Sequence, residues 1–226
     1  MNNKNKSILA VIVVLVLMVG GVPGQQIKMI ELDVKLPKPI VSGTPREIRG
    51  TNLDPVNKGK LRGAFLVPEG TILLSAKKAV TSSDSFPVNG SLEMITDGDK
   101  ESVDGSYVEL GPNKQWVKLD LGVPCSIQAV VIWHLHSQAV VYRDVIVQVA
   151  DDPDFVANVR TVFNNDNDNT TGIGAGQDYE YIESHQGKLI DVKSMQARFV
   201  KLYSNGSTAG EMNHYIEVEV YGKPCK

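Results

Sequence analysis

The chain has 226 residues, with 23 lysines and arginines against 26 aspartates and glutamates, and a formal net charge of −3. This length is enough for one well-buried core plus an extension. The charged residues are spread along the chain and form no clustered basic face, so nucleic acid is excluded as an expected partner.

The first 24 residues have the pattern of a secretory signal. Lys4 and Lys6 precede an unbroken apolar run at 8–19, and modest or small side chains follow it. A membrane-spanning helix needs roughly 20 apolar residues, so cleavage before Gln25 is favoured over the alternative, retention as a membrane anchor. We therefore expect an exported chain, in the periplasm, at the cell surface or outside the cell, with no transmembrane span after cleavage.

The segment 25–72 is rich in proline and precedes the folded domain. Proline lacks a backbone donor and fixes φ, so neither a long helix nor a central strand fits this segment. We interpret it as an extended segment lying along the domain surface, with disorder as the alternative. Its apolar stretch 64–67 is suited to docking.

From about Thr71 onward the pattern is one of short strands separated by turn residues. In 115–122, Val117, Leu119 and Leu121 alternate with polar or amphipathic residues, as in a strand with one buried face. Further strand-like runs lie at 127–136, 143–152, 197–206 and 214–222, and in the last of these Ile216, Val218 and Val220 are expected to share a face. No run has a sustained helical period, which predicts an all-β sandwich or barrel.

Seven stretches occur in a family-specific order across this region. They are "AVTSSDS" (79–85), "ITDGDK" (95–100), "QWVKLDLG" (115–122), "AVVIWH" (129–134), "VIVQVADDPDF" (145–155), "ARFVKLY" (197–203) and "IEVEVYG" (216–222). In this order they resemble the discoidin family, also called the coagulation-factor type C domain, within the galactose-binding-like fold. The resemblance covers 73–223, leaves 224–226 as a short tail, and implies an all-β jelly-roll β-sandwich of about eight antiparallel strands. It also implies a ligand site in loops at one end, and members bind sugars, glycans or lipid headgroups.

The resemblance further implies a calcium ion, Ca2+, held by Asp97, Asp99 and Glu217. Asp97 and Asp99 flank Gly98, and calcium prefers carboxylate and backbone oxygens on a tight turn. The first glutamate of the terminal "EVEVYG" stretch, Glu217, would close the site. The alternative is an ordinary Asp-Gly turn.

A second acidic stretch, 163–178, imitates part of a calcium loop. Asp166, Asp168 and Thr170 have the 1, 3, 5 spacing of an EF-hand, but Thr171 and Gln177 stand where its glycine and glutamate belong. An EF-hand is therefore excluded, and a long polar surface loop is the favoured interpretation.

Three histidines could bind a metal ion if they lay close together. His134 and His136 are expected to share one strand face, and His214 opens the last strand-like run. Zinc would require that they converge, which the sequence does not show. Hydrogen bonding to a ligand or within the fold is the favoured role.

No catalytic motif stands out, since there is no Gly-x-Ser-x-Gly elbow, phosphate-cradling glycine loop or His-Glu-x-x-His sequence. We expect a non-catalytic module that recognises carbohydrate, a glycan or another cell-surface ligand. The candidate ligand-binding residues are His136, Arg143, Asn205, Asn213 and His214. A structural envelope or matrix protein that contacts other envelope proteins is the alternative, and a metal-dependent enzyme is a third.

The chain has two cysteines, Cys125 and Cys225, and neither belongs to a C-x-x-C pair. In an exported protein they are compatible with one disulfide. Two unpaired thiols are the alternative, and the sequence leaves both open.

Overall fold

The computed structural model describes residues 27–40, 48, 52–55 and 62–225. The expected signal segment 1–24 lies outside the described residues, as do parts of the 25–72 segment. Within the described ranges, no helix is long and apolar enough to cross a membrane, and the regular elements are strands plus one short 3-10 helix at Leu92–Thr96. The strands are β1 Met29–Glu31, β2 Leu66–Pro68, β3 Ile72–Leu73, β4 Val80–Ser82, β5 Val108–Leu110, β6 Gln115–Trp133, β7 Ile146–Ala150, β8 Arg160–Asn164, β9 Lys188–Ser204, β10 Asn213–Tyr215 and β11 Glu217–Pro224.

Two long paired strands, β6 and β9, lie at the centre of the main sheet. The main sheet has the order β3-β11-β6-β9-β7-β8, with β4 also paired to β6, and all of its pairings are antiparallel. The β6–β9 register shifts between Asp120 and Cys125, next to Gly122, whose φ of +86° is a conformation that glycine adopts without strain. This irregularity divides the sheet into a first half (β4, the start of β6, the end of β9, β7, β8) and a second half (the end of β6, the start of β9, β11, β3).

The core lies between the two halves. Val117 and Leu202 of the first half belong to the same buried cluster as Val130, Ile190 and Val218 of the second half. The period-2 alternation of β6 supplies this packing, because every second side chain points to the same face. The all-β sandwich that the sequence predicts is confirmed.

A smaller apolar cluster covers the opposite face of the second half. It is built on Ala129, Val131 and Trp133 of β6, and partly buried side chains of the N-terminal segment, including Leu32 and Phe65, pack against it. The same segment pairs β1 with β2 in an antiparallel ladder. The described part of this segment is therefore packed against the sandwich.

Several loops leave the sandwich at one end. Gln115 pairs with Ser204, and Ile146 pairs with both Tyr203 and Asn164, so these strand termini lie side by side. We call this end the loop end and define it by the loops 134–145, 165–187 and 205–212.

Two details of the strand prediction are wrong. β6 ends at Trp133, so His134 follows the strand rather than lying within it. Ile216 falls between β10 and β11 and packs in the smaller cluster, whereas Val218 and Val220 lie in the main core. The chain changes strand at Ile216, which moves its side chain to the other face.

Candidate functional site

Arg143 lies where two loops of the loop end are joined by backbone hydrogen bonds. The Arg143 amide donates to the Gly206 carbonyl at 3.0 Å, and the Asn205 amide donates to the Arg143 carbonyl at 3.0 Å. The Asn205 side chain donates to the Asp144 carboxylate at 2.8 Å, while the Arg143 side chain is exposed. The structure therefore brings Arg143 and Asn205 together on a fixed backbone and leaves the guanidinium open to solvent.

Asn213 occupies a structural position instead of a ligand-binding one. Its side chain is fully buried, its Oδ1 accepts from the Ser204 hydroxyl at 2.7 Å and the Gly206 amide at 2.8 Å, and its Nδ2 donates to the carbonyls of Gly111 and Asn113 at 2.8 and 2.9 Å. An amide with two donors and two acceptor lone pairs has no capacity left. The expected ligand role is corrected to one of holding the 205–212 loop against the loop that precedes β6.

His214 is half-buried between aromatic and acidic neighbours. Its Nδ1 lies 2.9 Å from the Tyr142 hydroxyl, its Nε2 lies 3.9 Å from the Glu109 carboxylate, and its ring meets Tyr107 edge-on at 5.5 Å. Burial lowers the pKa of His214 below its ordinary value, against the opposing effect of Glu109. At neutral pH the imidazole is therefore uncharged and suited to hydrogen bonding.

His136 is buried, so its expected role in contacting a ligand is wrong. Its backbone amide donates to the Ser102 hydroxyl at 2.9 Å, and its Nε2 lies 3.0 Å from the Lys100 carbonyl. A side chain with 3% exposure offers no face to a glycan. His136 instead supports the 97–107 loop.

That loop contains the expected calcium ligands. Glu217 is fully buried, one of its oxygens accepts from the Gly98 amide at 3.1 Å, and the other has no hydrogen-bond partner. Burial raises the pKa of Glu217 to about 8, and the nearby Glu219 and Asp97 carboxylates add to the shift. An orphaned, buried carboxylate oxygen beside other acids fits a cation.

Asp97 and Asp99 fit a shared calcium ion less well. The Asp97 carboxylate accepts from the Asp99 amide at 2.7 Å, and the Asp99 carboxylate accepts from the Glu101 amide at 2.9 Å and the Ser106 hydroxyl at 3.0 Å. These bonds close the turn. The carboxylates of Asp97, Asp99 and Glu217 are not a set whose oxygens all lie within 4.8 Å of one another, since among the described residues only another trio has this property.

That trio lies at the loop end and comprises Asp144, Asp166 and Asp168. The Asp166 carboxylate accepts from the amides of Thr170 and Thr171, each at 3.0 Å, and the Asp144 carboxylate accepts from the Thr170 hydroxyl at 2.7 Å. The sequence spacing had drawn attention to two of the three aspartates. Asp144 was missed because it comes from a different loop.

The three histidines do not converge on a metal. Among the described residues no histidine belongs to a three-ligand group, and His134 is fully buried with its Nδ1 2.6 Å from Glu183. The His134 ring stacks on Tyr142 at 4.3 Å. The zinc alternative therefore receives no support from the geometry of the described residues.

An exposed aromatic ring next to the loop end was also missed, in the loop that leaves β4 opposite the start of β6. Phe86 is 87% exposed, in the loop that follows β4. The Asp84 carboxylate of this loop accepts from the Gly111 amide at 3.0 Å, and Gly111 in turn contacts Asn213. The signal in the sequence was an isolated phenylalanine among turn residues, which does not by itself distinguish a buried ring from an exposed one.

The two cysteines are free thiols. Cys125 is buried within β6 and Cys225 is half-buried just after β11, and the Cys225 amide donates to the Pro124 carbonyl at 2.9 Å. Burial raises the pKa of the Cys125 thiol. Of the two alternatives left open by the sequence, the structure has the unpaired thiols.

The overall structure is similar to carbohydrate-related proteins of known structure. A family 89 glycoside hydrolase from Clostridium perfringens aligns with a TM-score of 0.51 and 15% identity, over 68% of this chain and 15% of the hydrolase. A fucose binding module from Streptococcus pneumoniae aligns with a TM-score of 0.47 and 18% identity, over 70% of this chain and 99% of the module. A chitosan-binding module from Paenibacillus sp. IK-5 aligns with a TM-score of 0.46 and 18% identity, over 66% of this chain and 98% of the module.

These identities are low, and the likeness to the hydrolase shows a shared fold. The chain spans only about 15% of the length of that hydrolase. No protein-family model and no curated protein sequence matches the chain.

Proposed function

We propose that the chain is an exported, non-catalytic module that binds carbohydrate at the loop end, with Arg143 as the principal polar contact. The observation that carries the proposal is the exposed Arg143 side chain on a backbone fixed by two hydrogen bonds to 205–206. A guanidinium presents a planar fork of donors that engages adjacent hydroxyl groups. Because the backbone beneath it is already ordered, binding costs little further loop entropy.

Other groups at or next to the loop end complement this donor. The exposed Phe86 ring offers an apolar surface for the face of a sugar, as ligand sites combine apolar rings with a few placed polar groups. His214, held by Tyr142, offers a hydrogen-bonding group at neutral pH. The Asn205 side chain already donates a hydrogen bond to the Asp144 carboxylate, so it would contact a ligand only if the ligand displaced that bond.

Arginine substitutions at the two ends of the sandwich test the placement. Arg143→Ala should weaken binding of a glycan selected on an array by about 1.5–3 kcal/mol, the contribution of a hydrogen bond to a charged group. Arg160→Ala is the matched control, because Arg160 begins β8 at the opposite end, where it pairs with the partly exposed Asp151. Equal affinities of both variants in titration calorimetry would show that Arg143 is not a contact.

The alternative function is an outcome of the same experiment. If array, lipid and peptide screens detect no ligand for the wild-type protein, the structural envelope or matrix function replaces the binding module. Export is tested by intact mass, which should correspond to a chain starting at Gln25.

We further propose that Ca2+ binds beside Glu217, with Asp97, Asp99 and carbonyl oxygens of the 97–107 loop as the remaining donors. The support is the orphaned Glu217 oxygen, since a buried carboxylate oxygen without a partner is costly. When bound, the ion would neutralise this carboxylate and hold the loop.

Melting curves test the calcium proposal without any glycan. A chelator should lower the melting temperature of metal-loaded protein, and calcium but not magnesium should restore it, because magnesium prefers a smaller octahedral shell. Glu217→Gln should abolish the response to calcium while retaining the bond from Gly98. A chelator response that survives in Glu217→Gln would place the ion elsewhere, and the Asp144, Asp166 and Asp168 trio would be the next position to test.

A further inference from the structure

The outer face of the first half of the sheet carries two lysines directly opposite one another. Lys118 of β6 pairs in register with Lys201 of β9, on the face turned away from the core. Like charges directly opposite on neighbouring strands are destabilising. Within the described ranges neither ammonium group has a carboxylate within 4.0 Å, so the repulsion is not relieved by an ion pair.

The acidic side chain on the same face of β6 is already paired with an arginine. Asp120, two residues along β6, forms two hydrogen bonds of 2.7 Å with the Arg198 guanidinium. Lys201 meanwhile has its pKa lowered by burial and by the charges of Lys118 and Lys114. Three lysines of a chain whose net charge is −3 therefore lie close enough for their charges to interact.

Aromatic rings surround one of these lysines. The Lys201 ammonium lies 4.3 Å from the Trp116 ring centroid, 5.2 Å from that of Tyr203 and 5.3 Å from that of Phe155. Trp116 and Tyr203 are themselves a cross-strand pair, two positions along the same two strands and on the same face. Together these residues form a cluster of rings and ammonium groups, the basic aromatic face, in which Trp116, Lys118, Phe155 and Lys201 are partly exposed and Tyr203 is buried.

The loop that supplies Phe155 adopts an unfavourable backbone conformation to do so. Phe155 has a φ of +58°, a region that bulky side chains rarely occupy. Hydrogen bonds from Asp154 and Ala157 to the Asp152 carboxylate, and from the Lys118 ammonium to the Pro153 carbonyl, hold this loop in place. Strained residues of this kind are concentrated at binding sites, where the surrounding structure maintains them.

We infer that the basic aromatic face is a second binding site, separate from the loop end, for an acidic polysaccharide whose sugar rings carry carboxylate or sulfate groups. The partly exposed Trp116 and Phe155 rings offer stacking surfaces for sugar faces, and Lys118 and Lys201 offer charge-assisted hydrogen bonds to anionic substituents. The bound anions relieve the repulsion that the free protein sustains. A polyanion of the charge density of nucleic acid is disfavoured, because the whole chain is negative and the lysine cluster is small.

Oligosaccharides that differ only in charge test this inference. A size-defined oligogalacturonate and a sulfated dextran oligosaccharide should bind the full chain, with affinity falling as sodium chloride is raised, and neutral dextran of the same length should not bind at this face. Lys118→Gln and Lys201→Gln should each weaken binding about tenfold. Lys193→Gln is the control, because Lys193 is exposed at the register irregularity of β9 between Asp191 and Met195, in the other half of the sheet.

A stability measurement separates binding from a structural role. Lys118→Gln removes one of two repelling charges but also the hydrogen bond to the Pro153 carbonyl, so the melting temperature should stay close to that of the wild type while binding falls. Arg143→Ala should retain oligogalacturonate binding, so failure of the loop-end proposal and failure of this one give different results.

Two results would overturn the inference. One is wild-type affinity for both acidic oligosaccharides in the Lys118→Gln and Lys201→Gln variants. The other is binding of single-stranded DNA or anionic phospholipid vesicles to the wild-type chain with no binding of either acidic oligosaccharide.

Discussion

Replacing Asn213 by alanine should be among the most damaging single substitutions at the loop end. Its amide makes four hydrogen bonds of 2.7–2.9 Å in a fully buried position. A net contribution of about 1 kcal/mol for each bond, plus the penalty for carbonyls left unpaired, predicts a loss of about 3–5 kcal/mol. For a domain of this size that corresponds to a fall in melting temperature of roughly 10 °C.

Urea unfolding followed by tryptophan fluorescence measures this loss. Asn205→Ala is the matched control: the same side chain is removed from a half-buried position where it makes one hydrogen bond, to Asp144, and it should cost about 1 kcal/mol or less. Asn213→Asp keeps the volume and the acceptor but turns an oxygen toward the Gly111 and Asn113 carbonyls, so it should be as harmful as alanine. A loss for Asn213→Ala no larger than that for Asn205→Ala would refute the structural role.

Three further predictions concern other parts of the fold. Treatment of the folded protein with iodoacetamide should alkylate Cys225 but not Cys125, because Cys125 is buried and its pKa is raised. An intact mass two daltons below that of the reduced protein would instead reveal a disulfide. Burial lowers the pKa of His214 in the folded state, so the unfolded state binds the proton at a higher pH than the folded state does. The wild type should therefore lose stability relative to His214→Gln as the pH falls below about 6.5. A difference in unfolding free energy that does not vary with pH would contradict this. Gly187→Ala should destabilise the fold by about 2 kcal/mol or more, because Gly187 has a φ of +64° and an added Cβ would lie 2.6 Å from the Trp133 ring. A melting temperature equal to that of the wild type would show that the ring moves aside.

The sandwich could be predicted because its signal is local. The alternation in 115–122 directly specifies the burial of Val117, Leu119 and Leu121, and the structure buries all three. The order of the seven discoidin-like stretches indicated the sandwich topology, which periodicity alone does not give. The extension of β9 back to Lys188 was missed, because 188–196 mixes polar and apolar residues on an edge that bends.

The site could be predicted only in part because its geometry depends on distant residues. Whether Asn213 faces solvent or the interior is decided by its contacts with Gly111 and Asn113 on another loop. Likewise, the opposition of Lys118 and Lys201 depends on the register of two strand positions that are 83 residues apart in the sequence, a property that neither segment specifies alone. Exposed residues such as Arg143 were easier to identify, since a charged side chain at a strand end is usually solvated.

The packing of the N-terminal segment has a practical consequence for producing the protein. A fragment beginning at residue 73, the start of the family resemblance, would lack Leu32, Val34 and Phe65 and would expose the apolar cluster around Trp133. An uncovered apolar patch on a β-sheet promotes self-association. Fragments for binding assays should therefore begin before Ile27, because a shorter fragment that aggregates would falsely suggest that the domain cannot fold alone.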